Sequence, residues 1–413
     1  MRNLTKQQLE MLDRFKKIKV GALFSQMGTG KTRVAVELVN YNNPDFLLYI
    51  CPFSCKANVD AELQKWGVSC EYKIVGYETL SSSDRVYMEI RQELESHEKN
   101  FIIADESIFI KKGTTKRFVR SCELRSLCEW ALVLNGTPIV NNERDIYNQM
   151  EFLSHKIFNM DYHQFLRTFF IEHVCRKRGQ ELHLWEFYDP NRPAFAKIIA
   201  PYVYMADLAF EHEVSEQTTY CSINQEAYQR VRDRAIAGCD SSSFISVFTA
   251  TATAAAEDNL KNLEVAKYVD GRKCIVYCSR KKEMEFIAER CDALVIDGDT
   301  KEKDRKEIIK QFTESDNIPL ILSFGVGAYS LNLQTAAEIV YSSLTFNFGQ
   351  FEQSKYRIKR MGQENDITYT YMLPDAGITR MMEANLRDKD WLDNEIKKHI
   401  AAGDTKKWLK SVL

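Results

Sequence analysis

Short apolar runs that alternate with helical patterns constrain this chain more than any other feature. VGALFSQ (20–26), FLLYICP (46–52), EYKIVGY (71–77), NFIIADE (100–106) and WALVLNG (130–136) are built on Ile, Leu, Val, Phe or Tyr and end in a turn or a polar residue. Runs of this length read as buried strands. The stretches between them, such as TRVAVELVNY and NVDAELQKWG, read as helices. Such alternation predicts a parallel sheet covered on both faces. The rhythm returns in RKCIVYCS (272–279), ALVIDGD (293–299), PLILSFG (319–325), AEIVYSS (337–343) and DITYTYML (366–373). An aromatic, mixed-charge region at about 153–265 separates the two sets. It reads as helical (FNMDYHQFLRTFFIEHV; INQEAYQRVRDRAIAG), with a Ser/Thr/Ala-rich interruption near 240–256. The expectation is an α/β chain of two lobes with a helical insertion at their junction. The first would span 1–210, with a helical protrusion at about 153–200. The second would span 211–413, with a helical lead-in and C-terminal helices.

Composition narrows the function classes. The formal net charge is -2, so any nucleic-acid contact must come from a local groove rather than a basic coat. Eleven cysteines are scattered with no C-x-x-C pair, which reads as reduced, mostly buried thiols in a cytoplasmic protein without a zinc site or disulfide framework. The N-terminus, MRNLTKQQLEMLDRFKK, has no apolar signal-peptide core. No apolar run approaches the roughly 18 residues of a membrane span.

SQMGTGKT (25–32) follows a strand and opens a helix. Glycines 28 and 30 let backbone N–H groups curl around an anion, and the helix N-terminus adds partial positive charge. Lys31 can reach the β- and γ-phosphates of a nucleotide, and Thr32 can hold Mg²⁺. The alternative is a glycine-rich turn with a chance lysine. ADES (104–107) ends the NFIIADE strand. Asp105 suits Mg²⁺, directly or through water, and Glu106 suits activation of an attacking water. Alone, such an acid pair could simply face solvent.

FEQSKYRIKRMGQ (351–363) sets Arg357 and Arg360 three apart, on one face if this stretch is helical, with Gln353 one turn before Arg357. A solvated basic face is the plain reading. A nucleoside triphosphate held by the first lobe gives the arginines a target, because guanidinium forks match phosphate oxygens and stabilise transition-state charge.

Taken in order, these motifs resemble those of the superfamily 2 helicases, and within them the Swi/Snf-type DNA translocases. LTKQQ (4–8) looks like the family's upstream glutamine motif, which implies that Gln8 reads adenine. SQMGTGKT stands where the family has D-E-M-G-x-G-K-T, so that Met27, Gly28, Thr29, Gly30, Lys31 and Thr32 would line ATP. YICPFSCKANVDAELQKW (49–66), VGYETL (75–80), ADESIFIKK (104–112), LNGTPIVNN (134–142), DIYNQMEFL (145–153) and GVGAYSLNLQTA (325–336) follow in the family's order. FEQSKYRIKRMGQ matches Q-x-x-x-R-x-x-R-x-G-Q fully. The resemblance implies two RecA-like lobes, ATP hydrolysis with Mg²⁺, and tracking along DNA, duplex or branched. Gln353, Arg357 and Arg360 would sense the γ-phosphate. Thr137 would link the nucleotide to the strand, and Ser54, Thr79, Ser279 and Asn332 would lie near the nucleic-acid backbone.

SQMGTGKT departs from strict G-x-x-x-x-G-K-[ST] in having Ser25 at the first Gly position, and the sequence departs from the family pattern at Ile108 (for His), Asn135 (for Thr), Ser330 (for Gly) and Phe346 (for Trp). No reader module accompanies the motifs, which suggests a stand-alone motor of viral or mobile-element kind. KRFVR (116–120), CRKRGQ (175–180) and SRKKEME (279–285) are either solvated faces or a lining for phosphates. The Tyr and Phe residues of 158–188 read as core. The expected function is a DNA-dependent ATPase that translocates on duplex DNA. A strand-separating or branch-migrating helicase is the nearest rival, and an ATP-gated clamp for DNA or protein a rival of another class.

Overall fold

A computed structural model describes residues 4–136, 138–139, 143–177, 180–208, 210–239, 244–327, 333–360, 362–388, 391–402 and 404–413. The chain divides into two compact units, Met1–Ala209 and Phe210–Leu413.

In the first unit the expected runs become β1 (Val20–Ser25), β2 (Phe46–Cys51), β3 (Glu71–Gly76), β4 (Asn100–Asp105) and β5 (Trp130–Leu134). Then follow β6 (Phe170–Lys177), β7 (Gln180–Phe187) and β8 (Val203–Ala206). The main sheet runs β3-β2-β4-β5-β1-β8, parallel at every pairing. β2 is buried along its whole length, as a strand covered on both faces must be. Strand β4 lies beside β5, and β5 beside β1. Register sets Asp105 level with Leu134, and Leu134 level with Leu23. The segments that leave these three strands therefore emerge side by side, although 25–31, 105–107 and 135–136 are far apart in sequence.

The second unit repeats the scheme with β9 (Val214–Cys221), β10 (Ile275–Cys278), β11 (Leu294–Ile296), β12 (Leu320–Ser323), β13 (Glu338–Tyr341) and β14 (Ile367–Pro374). Its order is β11-β12-β10-β13-β14-β9, again all parallel. Here β12, β10 and β13 are neighbours, with Cys278 level with Ser323 and Tyr277 level with Tyr341. Strand β9 escaped the sequence reading because it is an edge strand. Residues Val214–Tyr220 are exposed, and its SEQTT core carries no apolar run.

Two local expectations are corrected. The segment 158–174 is not one helix. A helix capped by Asp161 and Gln164 covers Tyr162–Phe169, and the chain then turns into β6 and β7, an antiparallel hairpin. The signal was present in ELHLWEF, whose apolar residues alternate with polar ones until Trp185. The supposed interruption near 240–256 holds a helix, Phe244–Ala256. Alanine favours it, and Thr249 and Thr251 donate their hydroxyl protons to the carbonyls of Ile245 and Val247 one turn back. The strand expected at 71–77 is β3, which stops at Gly76, and the rest of VGYETL lies in the helix Tyr77–Ser82.

Of the Tyr and Phe residues of 158–188, Phe158, Phe165, Phe169 and Phe170 are core as expected, whereas Tyr162 and Tyr188 are exposed. Tyr147, Phe158, Phe165, Phe169 and Phe195 are buried in one cluster, with ring centroids 4.8 Å apart for Tyr147–Phe165 and 5.4 Å for Phe169–Phe195. The described cysteines are free thiols. Burial pushes the Cys122 and Cys128 thiols up to about 12, so neither is a ready nucleophile. Among the described residues no helix is long and apolar enough to cross a membrane.

Candidate functional site

The loop after β1 has the geometry its glycines predict. Gly28 (φ 83°) and Gly30 (φ 81°) are left-handed, and Gly30 caps the helix Lys31–Asn42. Lys31 Nζ donates to the carbonyls of Ser25 (2.6 Å) and Gln26 (3.0 Å), so the ammonium is held inside the curl of its own loop. The Thr29 hydroxyl closes the loop by donating to Gln26 O at 2.8 Å.

Gln8 supports this loop from outside. Its helix, Lys6–Phe15, opens on a reciprocal cap in which Gln8 N donates to Thr5 Oγ1 and Thr5 N donates to Gln8 Oε1. The amide nitrogen then donates to Thr29 O at 3.1 Å, and the side chain is 2% exposed. Both ends of the amide are thus engaged within the protein, one on the cap and one on the phosphate loop.

Asp105 ends β4 half-buried. Its Oδ2 accepts from the Tyr49 hydroxyl at 3.0 Å and its Oδ1 from the Glu106 N–H at 2.9 Å. Burial pushes its carboxyl above the usual range, against the pull of the nearby Lys31 charge and the Tyr49 hydrogen bond. Tyr49 titrates well above an ordinary tyrosine, first through burial and then through the Asp105 charge. Tyr49 thus holds the carboxylate expected at a metal, and the Thr32 hydroxyl is carried by the helix that follows the phosphate loop. These are hard oxygen donors on a buried, preset frame, and they fit Mg²⁺.

Glu106 has φ 49° and ψ 53°, a left-handed conformation that costs a non-glycine residue on the order of 1–3 kcal/mol. The surroundings hold it there. Tyr77 donates its hydroxyl proton to Asp105 O at 2.9 Å on one side of the turn. On the other, Ser107 donates to Gln149 Oε1 at 2.6 Å. Gln149 in turn donates to Pro138 O (2.8 Å) and Asp145 O (2.7 Å), so one buried amide joins the acid turn to the G-T-P turn. Gly136 lets that second turn approach the phosphate loop, since a Cβ there would sit 3.0 Å from Met27 Cγ and 3.9 Å from Lys31 Nζ. Ile108, which stands where the family has histidine, is half-buried in the short turn Ser107–Ile110.

Two of the expected nucleic-acid residues, Ser54 and Thr79, follow adjacent strands of this sheet. Ser54 is exposed in the turn Phe53–Cys55 after β2, and Thr79 is half-buried in the helix after β3. Glu78 ties the two by accepting from Phe53 N at 2.9 Å. The basic cluster 116–120 is largely structural. Arg120 is buried, donates to Leu80 O and Ser83 O, and pairs with Asp84, so it clamps the end of the helix that carries Thr79. Thr137 lies outside the described residues, as does Asn332.

In the second unit the arginine stretch departs from the helical expectation. The helix Phe348–Lys355 carries Gln353 but ends before either arginine. Arg357 N donates to Ser354 O and Arg360 N to Ile358 O, bonds of a tight turn. Spacing three apart therefore does not make one face here. Gln353 is 5% and Arg357 3% exposed, whereas Arg360 is half-buried. Gln363 anchors the end of the turn through donation to Ala336 O at 2.9 Å.

Ser279 follows β10 and lines a cavity of about 410 Å³ with Arg280, Ser323, Ser343 and Thr345 among others. Behind it is a feature that sequence reasoning missed. Lys261 and Glu283 form a fully buried pair, Nζ to Oε1 2.6 Å, directly under Ser279 and Ser343. Lys261 lay in no motif, Glu283 lay in SRKKEME, which was weighed only for its basic residues, and 22 positions separate the two.

Two families match the chain. Residues 53–244 match the SNF2-related domain, and residues 255–362 match the helicase conserved C-terminal domain. A SWI/SNF-related matrix-associated actin-dependent regulator of chromatin subfamily A-like protein 1 homolog from Caenorhabditis elegans is 22% identical over 393 residues, which cover 85% of this chain and 55% of that protein. The mouse DNA annealing helicase and endonuclease ZRANB3 is 19% identical over 88% of this chain and 38% of its own. The chain therefore spans about half, or less, of the length of these relatives. The solved Sulfolobus solfataricus SWI2/SNF2 ATPase core in complex with dsDNA aligns over 100% of this chain and 97% of its own, with 18% identity and a TM-score of 0.43.

Proposed function

Because the chain belongs to the Swi/Snf type of superfamily 2 helicases, we propose that it is a DNA-dependent ATPase that moves along duplex DNA. The observation that carries this reading is the convergence at the ends of β1, β4 and β5. Lys31 follows β1, Asp105 ends β4 with Glu106 next to it, β5 lies between those strands, and Gln149 joins the turn after β4 to the turn after β5.

Lys31 exchanges its loop carbonyls for β- and γ-phosphate oxygens, while the backbone N–H groups of Gly28–Lys31 hold the phosphate chain. Thr32 and Asp105 would hold Mg²⁺, which would supply positive charge against the phosphates. Glu106 orients and activates the attacking water. Gln8 keeps its loop in shape, and its amide retains one N–H and one lone pair for the adenine edge. Arg357 and Arg360 act on the γ-phosphate, with Gln353 beside them, so that ATP draws the second unit onto the nucleotide and hydrolysis releases it. Ser54 and Thr79 in the first unit, with Ser279 in the second, grip the DNA backbone, and Thr137 and Asn332 join them. Phosphate contacts carry no base information, so tracking is independent of sequence and sensitive to salt.

The test is ATP turnover measured side by side with duplex DNA, single-stranded DNA, forked DNA and RNA. Stimulation by duplex DNA above the others is the expected result. Turnover that no nucleic acid changes would remove the reading.

A further inference from the structure

Burying an ammonium and a carboxylate is costly, and proteins keep such pairs only where every donor and acceptor is matched. Lys261 and Glu283 meet that condition. Both are 0% exposed. The three protons of Lys261 go to Glu283 Oε1 (2.6 Å), Ser342 Oγ (2.8 Å) and Ser342 O (3.0 Å). Glu283 Oε1 also accepts from the Ser342 hydroxyl at 2.7 Å. Its Oε2 accepts from Ser279 N (3.0 Å) and the Ser343 hydroxyl (2.8 Å). The pair therefore grips the chain where it leaves two adjacent strands: Ser279 after β10, and Ser342–Ser343 after β13.

The outer layer of this network meets the cavity. Ser279 Oγ and Ser343 Oγ lie 2.9 Å apart, and both residues line it. Ser343 has one proton, which faces both the Glu283 carboxylate and Ser279 Oγ, so Ser279 is the acceptor in the hydroxyl–hydroxyl contact. The proton of Ser279 can then be offered to an anionic oxygen in the cavity. Arg280 supplies charge at the same wall, braced by Thr253 Oγ1 (2.8 Å) and Ser279 O (3.0 Å).

We propose that Lys261 and Glu283 are positioning residues whose buried pair presets Ser279 and Ser343 at the cavity, so that Ser279 and Arg280 can take one backbone phosphate of the nucleic acid. The assignment rests on the functional reading above. It explains why a charged pair occupies a place that apolar side chains could fill: only a carboxylate with four filled acceptor sites can hold an amide and two hydroxyls while neutralising a lysine.

The experiment is a double-mutant cycle read by the anisotropy of a fluorescein-labelled DNA duplex, without nucleotide. K261M/E283L replaces the pair by apolar side chains of similar volume, and near-ultraviolet circular dichroism establishes that it is folded. In the wild-type background S279A is expected to weaken binding about ten-fold, as loss of a hydrogen bond to a charged group does. In the K261M/E283L background the same substitution should cost less than two-fold, because the hydroxyl is no longer aimed. A pair that only stabilised the fold would leave the cost of S279A unchanged, and that result overturns the proposal. Should K261M/E283L fail to fold, S343A takes its place in the cycle, with the same expected coupling and the same refutation. Wild-type protein that does not bind the duplex at all would instead sink the functional reading, and this proposal with it.

Discussion

Lys261 Nζ lies 2.6 Å from Glu283 Oε1, and neither side chain reaches solvent. A complete buried pair and a broken one differ sharply in energy. E283Q or K261M alone leaves an uncompensated partner and is expected to lower unfolding free energy by about 3–5 kcal/mol. K261M/E283L removes both charges and should unfold within about 2 kcal/mol of wild type. Urea denaturation of the four proteins provides the check. Single variants as stable as wild type would mean that water or relaxation compensates the lone charge.

Asp105 sets stability against activity. Burial raises its carboxyl pKa in the folded protein, so the ionised form costs stability. That cost is absent below the unfolded value, about 3.9, and fully present once pH has passed the folded pKa. D105N should therefore raise the melting temperature at neutral pH, and its advantage should vanish on acidification. The amide can still accept from Glu106 N–H and donate to the Tyr49 hydroxyl oxygen. ATP turnover should be lost at every pH. Calorimetry across pH tests the first part; a D105N protein less stable than wild type at neutral pH would contradict it.

How much of this was legible in the sequence depended on whether a residue acts through its neighbours in the chain or through distant ones. SQMGTGKT and ADES could be read because chemistry at a strand end needs fixed residue types at short spacing. Tyr49 could not, since it sits inside the apolar run FLLYIC and gains its role only when β2 pairs with β4. Gln149 meets Ser107 across 42 positions, a contact that only tertiary packing creates. The arginine stretch shows the opposite error. Its spacing suits a helix, but backbone bonds from Arg357 to Ser354 and from Arg360 to Ile358 make a turn instead. The hairpin of β6 and β7 was lost because the aromatic density of 158–170 dominated the alternation that follows it.

The two arginines should separate by burial. R360A removes a half-buried cation and is expected to slow hydrolysis by up to about 10³–10⁵ with little change in melting temperature. R357A removes a side chain that is 3% exposed and should lower both turnover and stability. Single-turnover hydrolysis and thermal melts on both variants decide the matter. Normal hydrolysis by R360A would return that residue to a solvated role.

Glu106 should be separable from nucleotide binding. E106Q keeps the shape and the left-handed backbone of the turn but removes the charge that activates water. ATP affinity should stay within about three-fold of wild type while turnover falls by about 10²–10⁴. Fluorescent-nucleotide binding alongside phosphate release measures both. Weak binding with unchanged turnover would place the general base elsewhere.

The central claim is movement along an intact duplex, and displacement of a triplex-forming strand tests it most directly. Protein and ATP are added to a duplex that carries a third strand, with a simple forked duplex assayed in parallel. ATP-dependent release of the third strand, with little unwinding of the fork, is the result expected of a motor that tracks phosphates without a separating wedge. Rapid unwinding of the fork with no release of the third strand would contradict it and identify a strand-separating helicase.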